Sequence, residues 1–217
     1  MLNKEWIRKT EDFVKRSFDE SAFLSARPEE KAYRLEHTYR VANIGLQIAR
    51  KEGFDETETV IACLLHDVSY ATEFGEDGWR EHGRTSARMA RPFLTELGMA
   101  PDRVEEICYG VAIHVDDEAD FPGERTPFAL TVQDADNIDR FDAYRIHETL
   151  SSAGFLSMPF EEKREYVEKR LAGLRRLKET LLATRTAEEL WRERLSFQIA
   201  FYERLARQLR HSTGIGE

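Results

Sequence analysis

The chain has 217 residues, of which 41% are hydrophobic and 34% charged, with a formal net charge of −9. This composition is typical of a folded globular protein and is too apolar for an intrinsically disordered chain. The acidic balance excludes a diffuse basic field that would attract long nucleic acid or an anionic membrane surface. A phosphorylated partner would therefore need a local cation, such as a metal ion, to bind here.

Apolar runs in the sequence stay well short of the roughly 20 residues that cross a membrane. The first residues also lack the uninterrupted apolar core of a signal peptide. The two cysteines, Cys63 and Cys108, both fall within apolar helical patterns, which favours buried free thiols. We therefore expect a cytoplasmic protein that makes no membrane contact.

Hydrophobic residues recur with the period of helices, and two-residue alternation is scarce, which predicts an all-α fold. A first helix is expected over about residues 3–18, and a second from about Glu29 to Lys51, ended by Gly53. One apolar stripe of the second helix contains His37, Val41, Ile44 and Ile48.

The third helix should begin at a capping box formed by Asp55 and Glu58, and it carries an apolar run that ends in His66-Asp67. Neighbouring residues point about 100° apart on a helix, so this pair can face one ion only near a helix end. The stretch from Val68 to Trp79 is predicted to be the loop that supplies this end.

Three later predicted helices carry further histidines and aspartates. One is expected from about His82 to Leu97, and the next opens at Pro101 and carries His114 on its inner stripe. A third begins at Thr126-Pro127. This last helix carries the acidic sequence Gln133-Asp134-Ala135-Asp136-Asn137-Ile138-Asp139.

The composition changes beyond Gly154, where two long amphipathic helices are predicted at about 159–183 and 187–210. The second should be capped by Thr186 and Glu189. We expect a helical bundle over residues 1–155 and a C-terminal hairpin over 156–217 that packs on it. A homodimer interface or a wall of the substrate pocket are the other roles open to this hairpin.

Histidines and carboxylates on the buried faces of several helices indicate a metal site. Burying many imidazoles without a shared partner is costly, and one divalent cation would account for all of them. Imidazole and carboxylate ligands suit Mn, Fe, Co, Ni or Zn, and the absence of cysteine ligands disfavours a structural zinc site.

The order His, His-Asp, His, His, Asp resembles the HD-domain superfamily of metal-dependent phosphohydrolases. The resemblance covers about residues 30–148 and rests on His37-x-x-Arg40-Val41, on Leu64 to Val68 and on Gln133 to Asp139. It implies an all-α bundle in which one divalent metal is held by His37, His66, Asp67 and Asp136. Asp134 is the fallback for Asp136.

The same resemblance implies that His82 and His114 complete a second metal site in which Asp67 is the bridge. His82 could alternatively contact a substrate phosphate. One or two ions of Mn, Fe, Co, Ni, Zn or Mg are therefore expected per chain.

The function expected from this resemblance is hydrolysis of a small phosphorylated molecule, with a nucleotide as the leading substrate. Asp67 and Arg40 are the candidate catalytic residues, and Arg40 and Arg84 the candidates for substrate binding. Glu73, Glu76 and Asp77 are candidates for a general acid or base.

Two other function classes remain open from the sequence. Some HD-domain proteins use the same array to hold two irons and oxidise an organophosphonate or a polyol. An interaction module with a vestigial site is the other, and the complete ligand set argues against it.

Overall fold

The computed structural model describes residues 2–74, 78–116 and 121–214, and within these residues it is all-α, as predicted. The α-helices are α1 (Lys4–Asp19), α2 (Ala22–Ser25), α3 (Pro28–Glu52), α4 (Glu56–Leu65), α5 (Gly78–Glu96), α6 (Pro101–Ile113), α7 (Pro127–Asp139), α8 (Ala143–Ser152), α9 (Phe160–Arg176) and α10 (Arg185–Arg210). Short 3-10 helices cover Val68–Ala71, Phe155–Ser157 and Leu177–Glu179. No helix among the described residues has the length and apolarity needed to cross a membrane.

The chain divides into two compact units, Met1–Asp139 and Arg140–Glu217. In this division α8 groups with the C-terminal helices. The expected domain boundary after residue 155, the packing of a C-terminal hairpin on the bundle and the homodimer all remain predictions.

Helix α4 lies at the centre of the first unit, where it contacts α1, α3, α6 and α7. Every residue from Thr57 to Leu65 except Glu58 is buried. A helix that is apolar on all sides is stable only inside a protein, which explains the run Val60 to Leu65. Because α4 is fixed on all sides, its C-terminal end is held at a defined point in the core.

The ends of α3 and α4 follow the predicted capping signals. The side chain of Asp55 accepts a hydrogen bond from the Glu58 backbone N–H at 2.9 Å and caps α4. Gly53 ends α3 in the left-handed conformation, with φ of 78°, where a side chain would be strained.

The structure corrects several predicted boundaries. Helix α5 begins at Gly78, before the expected start at His82, so His82 lies one turn inside the helix. The expected helix over 159–183 ends at Arg176, and a 3-10 helix follows it. The N-cap of α10 is Thr184, whose side chain accepts from the Ala187 N–H, and not Thr186.

Two helices were not predicted. Helix α2 is a single turn capped by Ser21, too short to show a periodic pattern. Helix α8 buries only Ile146, so its sequence lacks a continuous apolar stripe.

The second unit is built on α9 and α10, which pack against each other. Its buried apolar side chains include Val167, Leu171 and Leu174 of α9 and Trp191 and Leu195 of α10. The Trp191 ring lies edge-on to Phe141, with centroids 4.5 Å apart. The first residues of this unit therefore pack against α10.

Candidate metal centre

Four histidines from four helices converge on one carboxylate inside the first unit. His37 lies on α3, His66 and His114 are the C-cap residues of α4 and α6, and His82 lies on α5. All four are at most 6% exposed, and Asp67 is 3% exposed.

The adjacent His66 and Asp67 can face the same point because the helix stops between them. His66 keeps helical dihedrals, with φ of −55° and ψ of −40°, whereas Asp67 leaves the helix with φ of −109° and ψ of 14°. The change in backbone direction turns the Asp67 side chain toward the side that the His66 ring occupies. The expectation that this pair needs a helix end agrees with this geometry.

Backbone carbonyls orient three of the four imidazoles. Nδ1 of His66 bonds to the Cys63 carbonyl at 2.7 Å, and Nδ1 of His114 bonds to the Val111 carbonyl at 2.7 Å. Nδ1 of His82 bonds in the same way to the Trp79 carbonyl. A carbonyl oxygen only accepts, so Nδ1 carries a proton, and in the neutral imidazole Nε2 therefore keeps its lone pair.

The fourth imidazole is oriented by a carboxylate. Nδ1 of His37 lies 2.8 Å from Oδ2 of Asp139, and Nε of Arg40 donates to Oδ1 of the same carboxylate at 2.8 Å. Arg40 therefore fixes Asp139, and Asp139 in turn fixes the ring of His37. A histidine held by a carboxylate in this way is a common arrangement around metal ions.

The Nε2 atoms meet in two pairs on either side of Asp67. Nε2 of His37 and His66 are 3.3 Å apart and lie 3.7 and 3.5 Å from Oδ2 of Asp67. Nε2 of His82 and His114 are 3.1 Å apart and lie 3.2 and 3.5 Å from Oδ1.

Two imidazole nitrogens this close together are stabilised by a bound cation. Where both Nδ1 atoms carry the proton, as in His82 and His114, two Nε2 lone pairs 3.1 Å apart repel each other, and neither nitrogen can donate. A divalent metal ion that accepts both lone pairs removes this repulsion and neutralises the carboxylate. The donor set therefore fits one metal in each of two triads that share Asp67, namely His37–His66–Asp67 and Asp67–His82–His114.

Asp136 completes the cluster on the side of the first triad. Its Oδ1 lies 3.1 Å from Nε2 of His37, and the residue is 4% exposed. The fallback residue, Asp134, is also buried. All six metal-ligand candidates from the sequence thus lie in one buried cluster.

The histidines and carboxylates of the cluster shift one another's pKa values toward the charged forms. Burial lowers the pKa of His37, but hydrogen bonds to Asp136 and Asp139 outweigh this effect and raise it to about 9. Burial raises the pKa of Asp67. The positive charge of His66 and hydrogen bonds from His114, His66 and His82 outweigh this when the imidazoles are protonated, and bring the pKa well below its usual range. With the neutral imidazoles described above, a bound cation would take the place of these protons. Asp67 is therefore an anion at neutral pH.

The two arginines expected to bind substrate lie in different surroundings. Arg40 pairs with Asp139 and approaches Glu36 at 3.9 Å. Arg84 donates to the Arg80 carbonyl at 3.1 Å and to Asp116 at 3.5 Å, near the end of α6. Substrate binding by either arginine remains a prediction.

The three candidates for a general acid or base are not placed in the cluster by the described residues. Glu73 is exposed at the end of the first described stretch. Glu76 and Asp77 lie outside the described residues.

Sequence reasoning missed Arg34. Its Nη1 donates to Oδ2 of Asp67 at 3.2 Å, which places a guanidinium beside the central carboxylate. The sequence does contain a signal that Arg34 lies near the cluster, because Arg34 precedes His37 by three residues and so lies on the same side of α3.

The family model for the HD domain matches residues 34–141, about half of the chain, and spans all six ligand candidates. This chain belongs to the HD-domain family. A comparison with curated proteins found no match.

Two solved structures have the same fold as this HD-domain protein. A predicted HD superfamily hydrolase from an uncultured Thermotogales bacterium is 24% identical, with a TM-score of 0.64 over 93% of this chain and 91% of that one. An HD-superfamily hydrolase from Bacillus thuringiensis is 22% identical, with a TM-score of 0.68 over 95% of this chain and 98% of that one.

Proposed function

We propose that this HD-domain protein is a metal-dependent phosphohydrolase that cleaves a phosphoester or phosphoanhydride bond of a small molecule. The observation that carries the proposal is the convergence of four oriented imidazoles on the buried carboxylate of Asp67. This donor set suits one or two divalent ions of Mn, Fe, Co, Ni, Zn or Mg. When bound, such ions lower the pKa of a coordinated water and neutralise phosphoryl oxygens.

In this proposal His37, His66, Asp67 and Asp136 hold the first ion, and His82 and His114 hold the second together with Asp67. The carbonyls behind His66, His82 and His114 keep each Nε2 free of a proton. Burial keeps bulk water away from the ligands, which strengthens their electrostatic interactions.

Arg40 has a positioning role in this account. Its contact with Asp139 keeps the carboxylate charged and correctly placed behind His37. The pKa of Asp139, which burial raises, is lowered overall by its bonds to His37 and Arg40. Arg84, next to the C-terminal end of α6, is the proposed contact for a more distant part of the substrate.

A nucleotide is the proposed substrate class. The net charge of −9 disfavours long nucleic acid, whereas a single small phosphorylated molecule can be drawn to the local cations of the site. A cytoplasmic location is proposed on the basis of the two buried free thiols.

A di-iron oxygenase is the second candidate, because the two triads sharing Asp67 offer ligands that suit iron as well. The two functions differ in their requirement for oxygen.

The test is a screen of nucleoside mono-, di- and triphosphates for phosphate or pyrophosphate release by protein loaded with Mn²⁺, Co²⁺ or Fe²⁺ without air. We expect release with at least one metal and no requirement for oxygen. Oxygen consumption with an organophosphonate or a polyol, and no release from any nucleotide, would contradict the phosphohydrolase proposal.

A further inference from the structure

Arg34 places a guanidinium in direct contact with the central carboxylate. Its Nη1 lies 3.2 Å from Oδ2 of Asp67, the oxygen that faces His37 and His66. Its side chain is 20% exposed, whereas that of Asp67 is 5% exposed. Arg34 therefore extends from the buried ligands toward the solvent.

The Arg34 guanidinium lies over the ring of Tyr70. Cζ lies 3.4 Å from the centroid of the Tyr70 ring, and the Tyr33 ring is 5.8 Å away on the same helix. Tyr70 follows Asp67 by three residues in the 3-10 helix Val68–Ala71. The same short segment thus supplies both the carboxylate and the surface on which the arginine rests, which holds the guanidinium with little loss of entropy on binding.

Most of the donors of this guanidinium are not used by Asp67. Arginine has five N–H groups, and the bond to Asp67 uses one of them. Nε is buried and has no hydrogen-bond partner among the described residues. Arg40 differs, since its Nε is used by Asp139.

We propose that Arg34 binds the phosphoryl group of the substrate and donates to an oxygen of that group while it keeps its contact with Asp67. This inference rests on the proposed function and adds a residue to it. A planar guanidinium suits the oxygens of a phosphoryl group, because it can donate two parallel hydrogen bonds. Its position beside Asp67 places that charge where the metal-binding carboxylate and the substrate meet.

The test uses inorganic phosphate as the probe and Mn²⁺-loaded full-length protein. Phosphate affinity is measured by titration calorimetry for the wild type, Arg34→Gln and Arg34→Lys, and Mn content is measured by elemental mass spectrometry. We expect unchanged Mn content, with phosphate affinity about 10- to 100-fold lower in Arg34→Gln. The phosphate affinity of Arg34→Lys should lie between those of the wild type and Arg34→Gln, since lysine keeps the charge and loses the planar geometry.

Arg91→Gln is the matched control, because it removes an arginine of α5 that pairs with Glu105 at the surface of the same unit. It should bind phosphate as the wild type does. Equal phosphate affinity in Arg34→Gln and the wild type would overturn the role of Arg34 alone. Reduced Mn content in Arg34→Gln would also overturn it, since Arg34 would then act only by placing Asp67. A wild type that holds Mn²⁺ but binds no phosphate would count against the phosphohydrolase proposal itself.

Discussion

At the residue scale, the tautomer of each histidine decides what the cluster can do. The Cys63 and Val111 carbonyls come from the last turns of α4 and α6, where carbonyls have no partner within the helix. His66 and His114 satisfy these carbonyls with Nδ1–H and turn Nε2 inward. One hydrogen bond thus completes a helix end and prepares a metal ligand.

Asp139 gives His37 the orientation that the carbonyls give the other rings. In Asp139→Asn the charge behind His37 is lost, and so is the ion pair with Arg40. Because such outer partners typically contribute 10- to 100-fold to metal affinity, we expect Mn²⁺ affinity to fall by roughly that factor. Competition with a fluorescent chelator measures this.

Asp102→Asn is the control, since Asp102 is an exposed carboxylate in the first turn of α6. It should leave the affinity unchanged. An Asp139→Asn variant that binds Mn²⁺ as tightly as the wild type would show that His37 needs no carboxylate behind it.

At the element scale, the close approach of α5 and α6 brings His82 to His114. Gly83 is buried in this contact, and a Cβ on it would lie 2.6 Å from the Ala112 carbonyl oxygen and 3.0 Å from that of Val111. The Val111 carbonyl is the one that accepts from Nδ1 of His114. Any residue larger than glycine must therefore displace the turn that orients this ligand.

For Gly83→Ala we expect a loss of stability of about 1–3 kcal/mol from overpacking against backbone. The His82–His114 pair should also separate, so the second metal should bind more weakly than the first. Thermal unfolding and Mn stoichiometry report these two effects.

Gly173→Ala in α9 is the matched control. The nearest atom to its Cβ is 4.0 Å away, at the end of the Arg176 side chain. Alanine should be neutral or stabilising there by about 0.5–1 kcal/mol, because glycine weakens a helix interior. A Gly83→Ala protein with wild-type stability and full metal content would contradict the role given to this helix contact.

The sequence was most informative where a local signal coincided with a long periodic pattern. Gly53 and Asp55 predict the ends of α3 and α4, and the apolar run before His66 predicts a buried helix. The start of α5 was placed too late because glycines and polar residues before His82 look like a loop. Contacts across helices, such as Arg34 with Asp67, depend on packing that no local pattern encodes.

At the scale of the whole molecule, the ligand candidates are far apart in sequence and are assembled by the helices of the first unit. His37 and Asp136 are brought together because α3 packs against α7, and His82 and His114 because α5 packs against α6. Asp67, at the end of the central helix α4, lies between the two pairs. The fold of residues 2–139, within the described stretches, therefore has one buried point at which all these elements meet.

The central claim is that this point is a metal site in which Asp67 is shared. The most direct test is elemental mass spectrometry of the wild type and Asp67→Ala, both purified without a His-tag and without air. We expect one or two divalent ions per wild-type chain and none in Asp67→Ala, with similar helical content by circular dichroism. Equal metal content in the two proteins, or a wild type that binds no divalent ion after incubation with each candidate metal, would contradict the claim.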